Sequence, residues 1–280
     1  MIHIITDSSS DISVQQAEKL GVHIIPLSIT FGDKTYKEGV EITPEAFYQR
    51  LAISKHLPST SQPSPESFIP LFTEIRDAGD SAVVILLSGK LSGTVQSAMI
   101  ARQIVDCPDI HIVDSKNVAV GIRLLVDQAV ALRESGLTAE AIAAQLAEMA
   151  DRVIFFAMVD TLEYLYKGGR LSRTAKIAGT LLGFKPIIEI TDGELKLRGK
   201  GRGVKHALEK LLDLLDERAA IVPGTPYYFG YTALEEKCTL LRQMFRERRS
   251  VPREIIAPVG CAIGTHAGPG ACVVCYLAQK

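Results

Sequence analysis

The chain has no excess of charge of either sign: 31 lysines and arginines stand against 32 aspartates and glutamates, a formal net charge of −1. That removes the basic field with which a nucleic-acid-binding surface attracts phosphate. It has no apolar run near the ~20 residues needed to cross a bilayer, although 47% of its residues are hydrophobic. The surplus apolar content must go into buried sheet or into the lining of an apolar cavity. Five cysteines at irregular spacing are an odd number, so a reducing cytoplasm is expected rather than a disulfide framework. The chain opens on the strand-like run Ile2-His3-Ile4-Ile5, and no leader is expected.

Several signature motifs are missing too. There is no Gly-x-x-x-x-Gly-Lys-Ser/Thr phosphate loop and no Gly-x-Ser-x-Gly elbow. Gly199-Lys200-Gly201-Arg202-Gly203 lacks the third glycine spacing of a dinucleotide fingerprint. Cys272 and Cys275 match C-x-x-C, but within a strand that spacing puts the thiols on opposite faces, so no metal site is expected.

What is present is an alternation of strands and helices. Ala82–Leu87 reads as a buried strand and Gly93–Val105 as a helix, with Ser88-Gly89-Lys90-Leu91-Ser92-Gly93-Thr94 between them. Hydroxyls and glycines thus sit at the carboxyl end of a strand and the amino end of a helix, where free N–H groups favour an anion. Further strands are expected at His3–Ile5, across Val22–Phe31 and at His111–Val113, and helices from Val14, Pro44 and Ala139. Ser13 with Gln16 fits a capping box, and Thr43-Pro44 and Ser64-Pro65 place a cap before a first-turn proline. The pattern predicts a parallel sheet covered on both faces.

After Arg152 the texture changes. Lys185–Ile190 and Glu194–Arg198 flank the hairpin signal Thr191-Asp192-Gly193, and returning strands follow at Tyr227–Tyr231, Arg253–Pro258 and Ala271–Leu277. The fold class is therefore α/β with two domains: an α/β/α parallel-sheet domain over 1–150 and a smaller mixed-sheet α/β domain over 151–280.

Other segments carry polar chemistry. Thr6-Asp7-Ser8-Ser9 follows the first strand, and Pro58-Ser59-Thr60-Ser61-Gln62-Pro63 holds hydroxyls between prolines. Gly264-Thr265-His266-Ala267-Gly268 reads as a glycine-flanked loop between strands that presents an accessible histidine. Arg170 and Arg173 follow a glycine stop, and Arg202 stands at a helix start, where the dipole disfavours a cation. A stand-alone serine hydrolase is one reading of these residues, with Ser92 as nucleophile, His266 as base and Asp7 orienting it.

Taken in order along nearly the whole chain, Thr6-Asp7-Ser8-Ser9, Thr60-Ser61-Gln62-Pro63-Ser64, Leu91-Ser92-Gly93-Thr94, Val113-Asp114-Ser115, Gly168-Gly169-Arg170-Leu171-Ser172, Lys185-Pro186-Ile187 and His266-Ala267-Gly268-Pro269-Gly270 resemble the DegV family of bacterial fatty-acid-binding proteins. Gly89 departs from the family, which often carries a serine before the lysine. The resemblance implies a long-chain fatty acid bound between the two domains, with no other cofactor. It implies a carboxylate held at Thr60 and Ser92, with Arg170 and His266 supporting it, and helix-start amides at Gly93 and Thr94 supply further donors. No catalytic residue is expected in this chain. A separate ATP-binding kinase subunit, similar to dihydroxyacetone kinase, would phosphorylate the carboxylate to an acyl-phosphate, docking through Arg170, Arg173 and Arg202. Phe156, Met158, Leu162, Leu165, Leu181, Phe184 and Ile188 are the candidate acyl-tunnel residues. Membrane contact would be transient, for lipid exchange.

Overall fold

The computed structural model describes residues 1–171 and 183–280. Strand β1 (Ile2–Asp7) ends at Asp7, whose carboxylate accepts the Ser9 N–H and caps a short 3-10 turn. Helix α1 (Val14–Leu20) begins with the full Ser13/Gln16 capping box and stops at Gly21, φ +60°. Strand β2 (Val22–Ile25) pairs parallel to β1. The apolar run predicted as one strand region then divides at Pro26. A proline has no N–H for the ladder, and β3 (Ser28–Phe31) leaves the parallel sheet. It pairs antiparallel with β4 (Lys34–Lys37) and, after α2 (Pro44–Ile53), with β5 (Ser59–Ser61), a small third sheet that the sequence pattern did not suggest.

The chain returns through α3 (Ile69–Asp77), β6 (Ser81–Leu86), α4 (Thr94–Val105), β7 (Ile110–Asp114), α5 (Val120–Glu134) and α6 (Ala139–Ala150). The parallel sheet has the order β2-β1-β6-β7. Side chains of β1 and β6 alternate between two apolar layers: Ile5, Val84 and Leu86 face Phe72 and Ala98 of α3 and α4, and Ile4, Val83 and Ile85 face α5.

The second half contains β8 (Val153–Met158), α7 (Glu163–Lys167), β9 (Phe184–Thr191), β10 (Glu194–Arg202), α8 (Gly203–Asp216), β11 (Tyr227–Tyr231), α9 (Glu236–Arg248), β12 (Glu254–Pro258), α10 (Cys261–Ala267) and β13 (Cys272–Leu277). These strands form a six-stranded sheet, β10-β9-β8-β13-β11-β12, in which only β11 and β12 run parallel. The β9–β10 hairpin turns at Asp192 and Gly193, both with positive φ, as the hairpin signal predicted. The Gly264–Gly270 segment differs from the expectation. It is not a plain loop: Gly264, Thr265 and His266 lie in α10, which ends at Gly268 with φ +71°. This helix is short, carries a glycine inside it and is preceded by Gly260 with no capping side chain, so no start signal marks it in the sequence.

Helix α5 joins the halves. Every residue from Val120 to Val126 is buried, and the helix packs on β1 and β6 on one side and on β11 and β13 on the other. The one charged residue in that run, Arg123, is paired with Asp127 at 2.9 Å, and Asp127 also accepts the Tyr228 hydroxyl at 3.0 Å. The division at about residue 150 is the one we propose, because α6 still packs on β6 and β7 whereas β8 opens the mixed sheet. Leu125→Ala is expected to cost about 3 kcal/mol through a cavity under both sheets. Because α5 serves both, denaturant unfolding should keep a single transition; two separated transitions would show that the halves do not share this helix energetically.

Candidate functional site

A cavity of about 300 Å³ lies where the two halves meet. The first half lends it Leu27 before β3, Thr60 of β5, Leu87 and Ser92 after β6, and Val118 and Ala119 before α5. The second half lends it Phe155, Ala157 and Val159 along β8, Ile188 of β9, Val273 of β13 and the inner side of α10. Its walls are mostly apolar, and Thr60, Ser61, Gln62, Ser92, Arg170 and His266 supply most of its polar groups. The carboxyl end of β6 borders it, through Leu87, as expected of an open α/β sheet. Ala119 takes φ +53° and ψ −134°, a backbone region natural to glycine, at the point where the wall passes into α5.

Thr60 and His266, 206 positions apart, are brought together: Oγ1 and Nε2 are 2.8 Å apart. Thr60 is fixed by β5, which pairs with β3 opposite Ile29, so the sheet as well as the prolines holds it. His266 projects from the last turn of α10, and its Nδ1 is buried against Gly168, where a Cβ would lie 2.1 Å away. Nδ1 has no hydrogen-bond partner among the described residues. Hydrogen-bond accounting therefore assigns the proton to Nε2, because a proton on Nδ1 would leave a buried N–H without an acceptor. Nε2–H then donates to Thr60 Oγ1, and the Thr60 hydroxyl proton is free to point at an acceptor in the cavity. Burial, helped by the charge of Arg170, lowers the His266 pKa to about 4, so the ring is neutral at physiological pH.

Ser92 lies in the wall, and its Oγ is 2.9 Å from Thr94 Oγ1. Gly93 and Thr94 sit immediately behind it at the start of α4 and do not form part of the wall. Thr94 is fully buried, and the missing side chain of Gly93 makes room for the Gln62 amide, which donates to Ser97 Oγ at 3.1 Å. Gln62 is a wall residue that the sequence reading quoted but did not single out; its place in the proline-framed loop was the available signal. Arg170 donates to the carbonyl oxygens of Leu91 at 3.2 Å and Gly168 at 2.7 Å, which ties the α7 turn to the β6–α4 loop beside Ser92.

The tunnel candidates divide. Leu165 and Ile188 line the cavity. Phe156 and Met158 do not: they point to the other face of β8 and pack with Leu208, Leu211 and Phe229. The mixed sheet is apolar on both faces, so alternation along β8 separates two sets of residues without telling which faces the cavity. Leu162 is buried in a satellite cluster with Val159 and Leu171 and is not a wall residue. Phe184 is half-buried outside the cavity, with Lys200 Nζ 5.2 Å from its ring centre. Leu181 and Arg173 lie outside the described residues. Arg202 is exposed at the start of α8.

Among the described residues Ser92 is not paired with His266. Ser92 Oγ meets a threonine hydroxyl, and His266 Nε2 is engaged by Thr60. Asp7 does not orient His266. Its oxygens accept from Ser9 N at 2.9 Å, from Ser9 Oγ and from Leu87 N at 2.8 Å, so it clamps the ends of β1 and β6 together. Cys272 and Cys275 fall on opposite faces of β13.

His266 makes stability depend on pH. Its folded pKa of about 4 lies below the ordinary 6.5, so its contribution is present above pH 6.5 and lost as pH falls through about 4. The wild type minus a His266→Gln variant should show this as a loss of about 3 kcal/mol over that window. A pH-independent difference would mean that the ring is not held neutral.

The sequence profile described as "Uncharacterised protein, DegV family" matches residues 1–279. A DegV domain-containing protein of Caldanaerobacter subterraneus is 38% identical over 275 residues, 98% of each chain. Among solved structures, one described as fatty acid binding of a DegV family protein from Thermus thermophilus superposes with a TM-score of 0.90 at 32% identity, covering 99% of both chains. Another, described as a stearic acid-binding protein from Eubacterium ventriosum, gives a TM-score of 0.86 at 31% identity, covering 99% of this chain and 98% of that one. With the profile spanning the chain and relatives matched end to end, this protein belongs to the DegV family.

Proposed function

We propose that this protein binds a long-chain fatty acid in the cavity between its halves and presents the carboxylate to a separate ATP-dependent kinase subunit. The observation that carries this is the asymmetry of the cavity: hydroxyl and guanidinium donors from Thr60, Ser92 and Arg170 beside an otherwise apolar wall. Solved structures described as fatty-acid-binding, at 31–32% identity, support the same ligand. A carboxylate taken from water without partners costs several kcal/mol. The Thr60 hydroxyl, released by the Nε2–H of His266, and the Ser92 hydroxyl can offset that cost. The chain contributes more: at about 0.8 kcal/mol per methylene, a dozen buried CH₂ groups give roughly 10 kcal/mol before ordering costs. The apolar walls therefore set affinity, and the polar end sets orientation.

In this reading the bound carboxylate is the nucleophile of a reaction completed elsewhere. One of its oxygens attacks the γ-phosphorus of ATP on the partner, the bond to ADP breaks, and an acyl-phosphate forms. Hydroxyls and a guanidinium suit this role, since at neutral pH they hold the anion without protonating it. The carboxylate end lies beside the half-buried Leu91 and Ser92 and the exposed Lys90 and Gly169, within reach of a docked subunit. Arg170 is committed to the cavity wall, so the docking role proposed for the arginines falls on Arg202 and on Arg173. No helix of the described residues is long and apolar enough to cross a membrane. With a partner that draws on ATP, the proposed function belongs in the cytoplasm.

Native mass spectrometry tests the ligand. A non-covalent adduct of fatty-acid mass, lost on denaturation, is expected; protein that stays bare with added palmitate or oleate overturns the reading. Thr60→Ala combined with Ser92→Ala should weaken fatty-acid binding by ten-fold or more, on the order of two lost charge-assisted hydrogen bonds, and abolish acyl-phosphate formation while the fold persists. Arg202→Glu should weaken association with the kinase subunit several-fold and leave fatty-acid binding unchanged. Unaltered association removes Arg202 from the docking surface.

A further inference from the structure

Two buried carboxyl groups lie behind the cavity and take no part in holding a ligand. Asp11 follows the 3-10 turn after β1, with φ +58°, and Glu38 follows β4. Asp11 Oδ1 accepts the N–H of Gly260 at 2.8 Å, and Glu38 Oε1 accepts the N–H of Ala262 at 3.0 Å. A Cβ on Gly260 would stand 2.5 Å from Glu38 Oε1 and 3.2 Å from Asp11 Oδ1, so both carboxyl groups converge on one glycine. The second oxygen of Glu38 accepts the Ser8 hydroxyl at 2.7 Å, and Asp11 Oδ2 is buried with no partner. Tyr48 of α2 adds a bond to the Val259 carbonyl at 2.9 Å. All these side chains belong to the first half, and the backbone they hold is the entry to α10 in the second. Helix α10 in turn supplies Ala262, Ile263 and His266 to the cavity wall.

Holding two backbone N–H groups does not need two acids; neutral acceptors would do so at a lower desolvation cost. Two carboxyl groups converging this closely on one glycine do not both ionise without a large penalty. They also border a separate, solvent-open groove of about 1050 Å³ lined by Ser8, Gly39, Thr43 and Gly260, which gives protons a route to them that avoids the ligand cavity.

We infer that Asp11 and Glu38 are positioning residues that form a proton-dependent clasp on α10, holding the cavity closed around its ligand while the pair is protonated and loosening it on ionisation. The ligand in this statement rests on the fatty-acid reading; the clasp itself does not. Burial is the largest influence on both groups, pushing Asp11 well up and Glu38 to about 7 against the opposing pull of Ser8 and the α10 amides. The other groups facing the pair are Asp7 at the end of β1, which disfavours ionisation of Glu38, the Cys261 thiol of α10, the Tyr48 hydroxyl of α2, and Arg123 of α5, which is already paired with Asp127. In an opened seam Glu38 returns to its ordinary 4.5. The closed form then binds the proton more tightly, and closure is favoured below the titration and lost as pH rises through about 7. For one proton, this linkage raises the opening constant about tenfold between pH 6 and pH 8 and flattens above. His266, at about 4, titrates outside that window.

Hydrogen–deuterium exchange of residues 261–267 in the ligand-free protein, corrected for intrinsic rates, reads the clasp directly. Fluorescence titration with cis-parinaric acid reads retention. Wild type should lose protection in α10 by about tenfold from pH 6 to 8 while α8 stays constant, and affinity for the probe should fall over the same window by the smaller factor that the open fraction sets. Glu38→Gln should hold α10 protected and flatten both profiles; the difference between the two proteins cancels the probe's own titration. Flat α10 protection in wild type, a measurement that needs no variant, overturns the clasp, as does a Glu38→Gln profile that keeps the wild-type slope. If α10 follows pH but the probe binds at no pH, the fatty-acid reading falls and the clasp stands. If the probe binds with pH-independent affinity over a static α10, the reverse holds.

Discussion

The fold depends on one helix whose first two turns are buried on all sides. Two sheets each present an apolar face, and α5 fills the space between them, so neither half completes its core without it. The cavity follows from where that helix begins. Val118 and Ala119 stand in the wall immediately before its first turn, and beyond them, among the described residues, the space between the sheets is bounded by side chains of β8, β9 and β13, the β6–α4 loop, β5, α7 and α10. An opening between two halves that share a core is rigid on one side and adjustable on the other. The adjustable side is α10, held by side chains from the opposite half rather than by its own sheet.

Polar groups are distributed according to what burial permits. The site groups with free capacity are hydroxyls and one guanidinium, and the one imidazole is held neutral by burial. The buried acids are kept away from the cavity. Asp7 is saturated by three donors, and Asp11 and Glu38 face the outer groove. A carboxylate in the wall would repel an anionic head group. Donors on one side of the seam and acids on the other form an environment in which a single anion has one favourable position.

Much of the local structure was legible because its causes are local. The Ser13/Gln16 capping box, the Thr43 cap before Pro44 and the Asp192-Gly193 turn are each decided by a few neighbouring residues. Long-range choices were not legible. Pro26 marks a break, but only the pairing of β3 with β4 and β5 sends the chain into a third sheet. The parity of β8 was ambiguous because α8 covers one face and the cavity the other, and both are apolar; Phe156 and Met158 fell on the wrong side for that reason. Helix α10 escaped notice because its stability comes from carboxyl groups more than 200 positions away, not from a cap of its own.

By itself the sequence determined the alternation of strands and helices, the absence of a membrane-crossing run, and the segments rich in hydroxyls and glycines that turn out to surround the cavity. These depend on composition, periodicity and nearest neighbours. The tertiary structure alone decided that Thr60 meets His266, that Ser92 is turned to Thr94 rather than to that histidine, and that Asp7 serves the sheet rather than the site. The first and last of these join residues 206 and 80 positions apart in the chain. The free energy that selects one pairing over another comes from the packing of two sheets on a common helix, which no local pattern encodes.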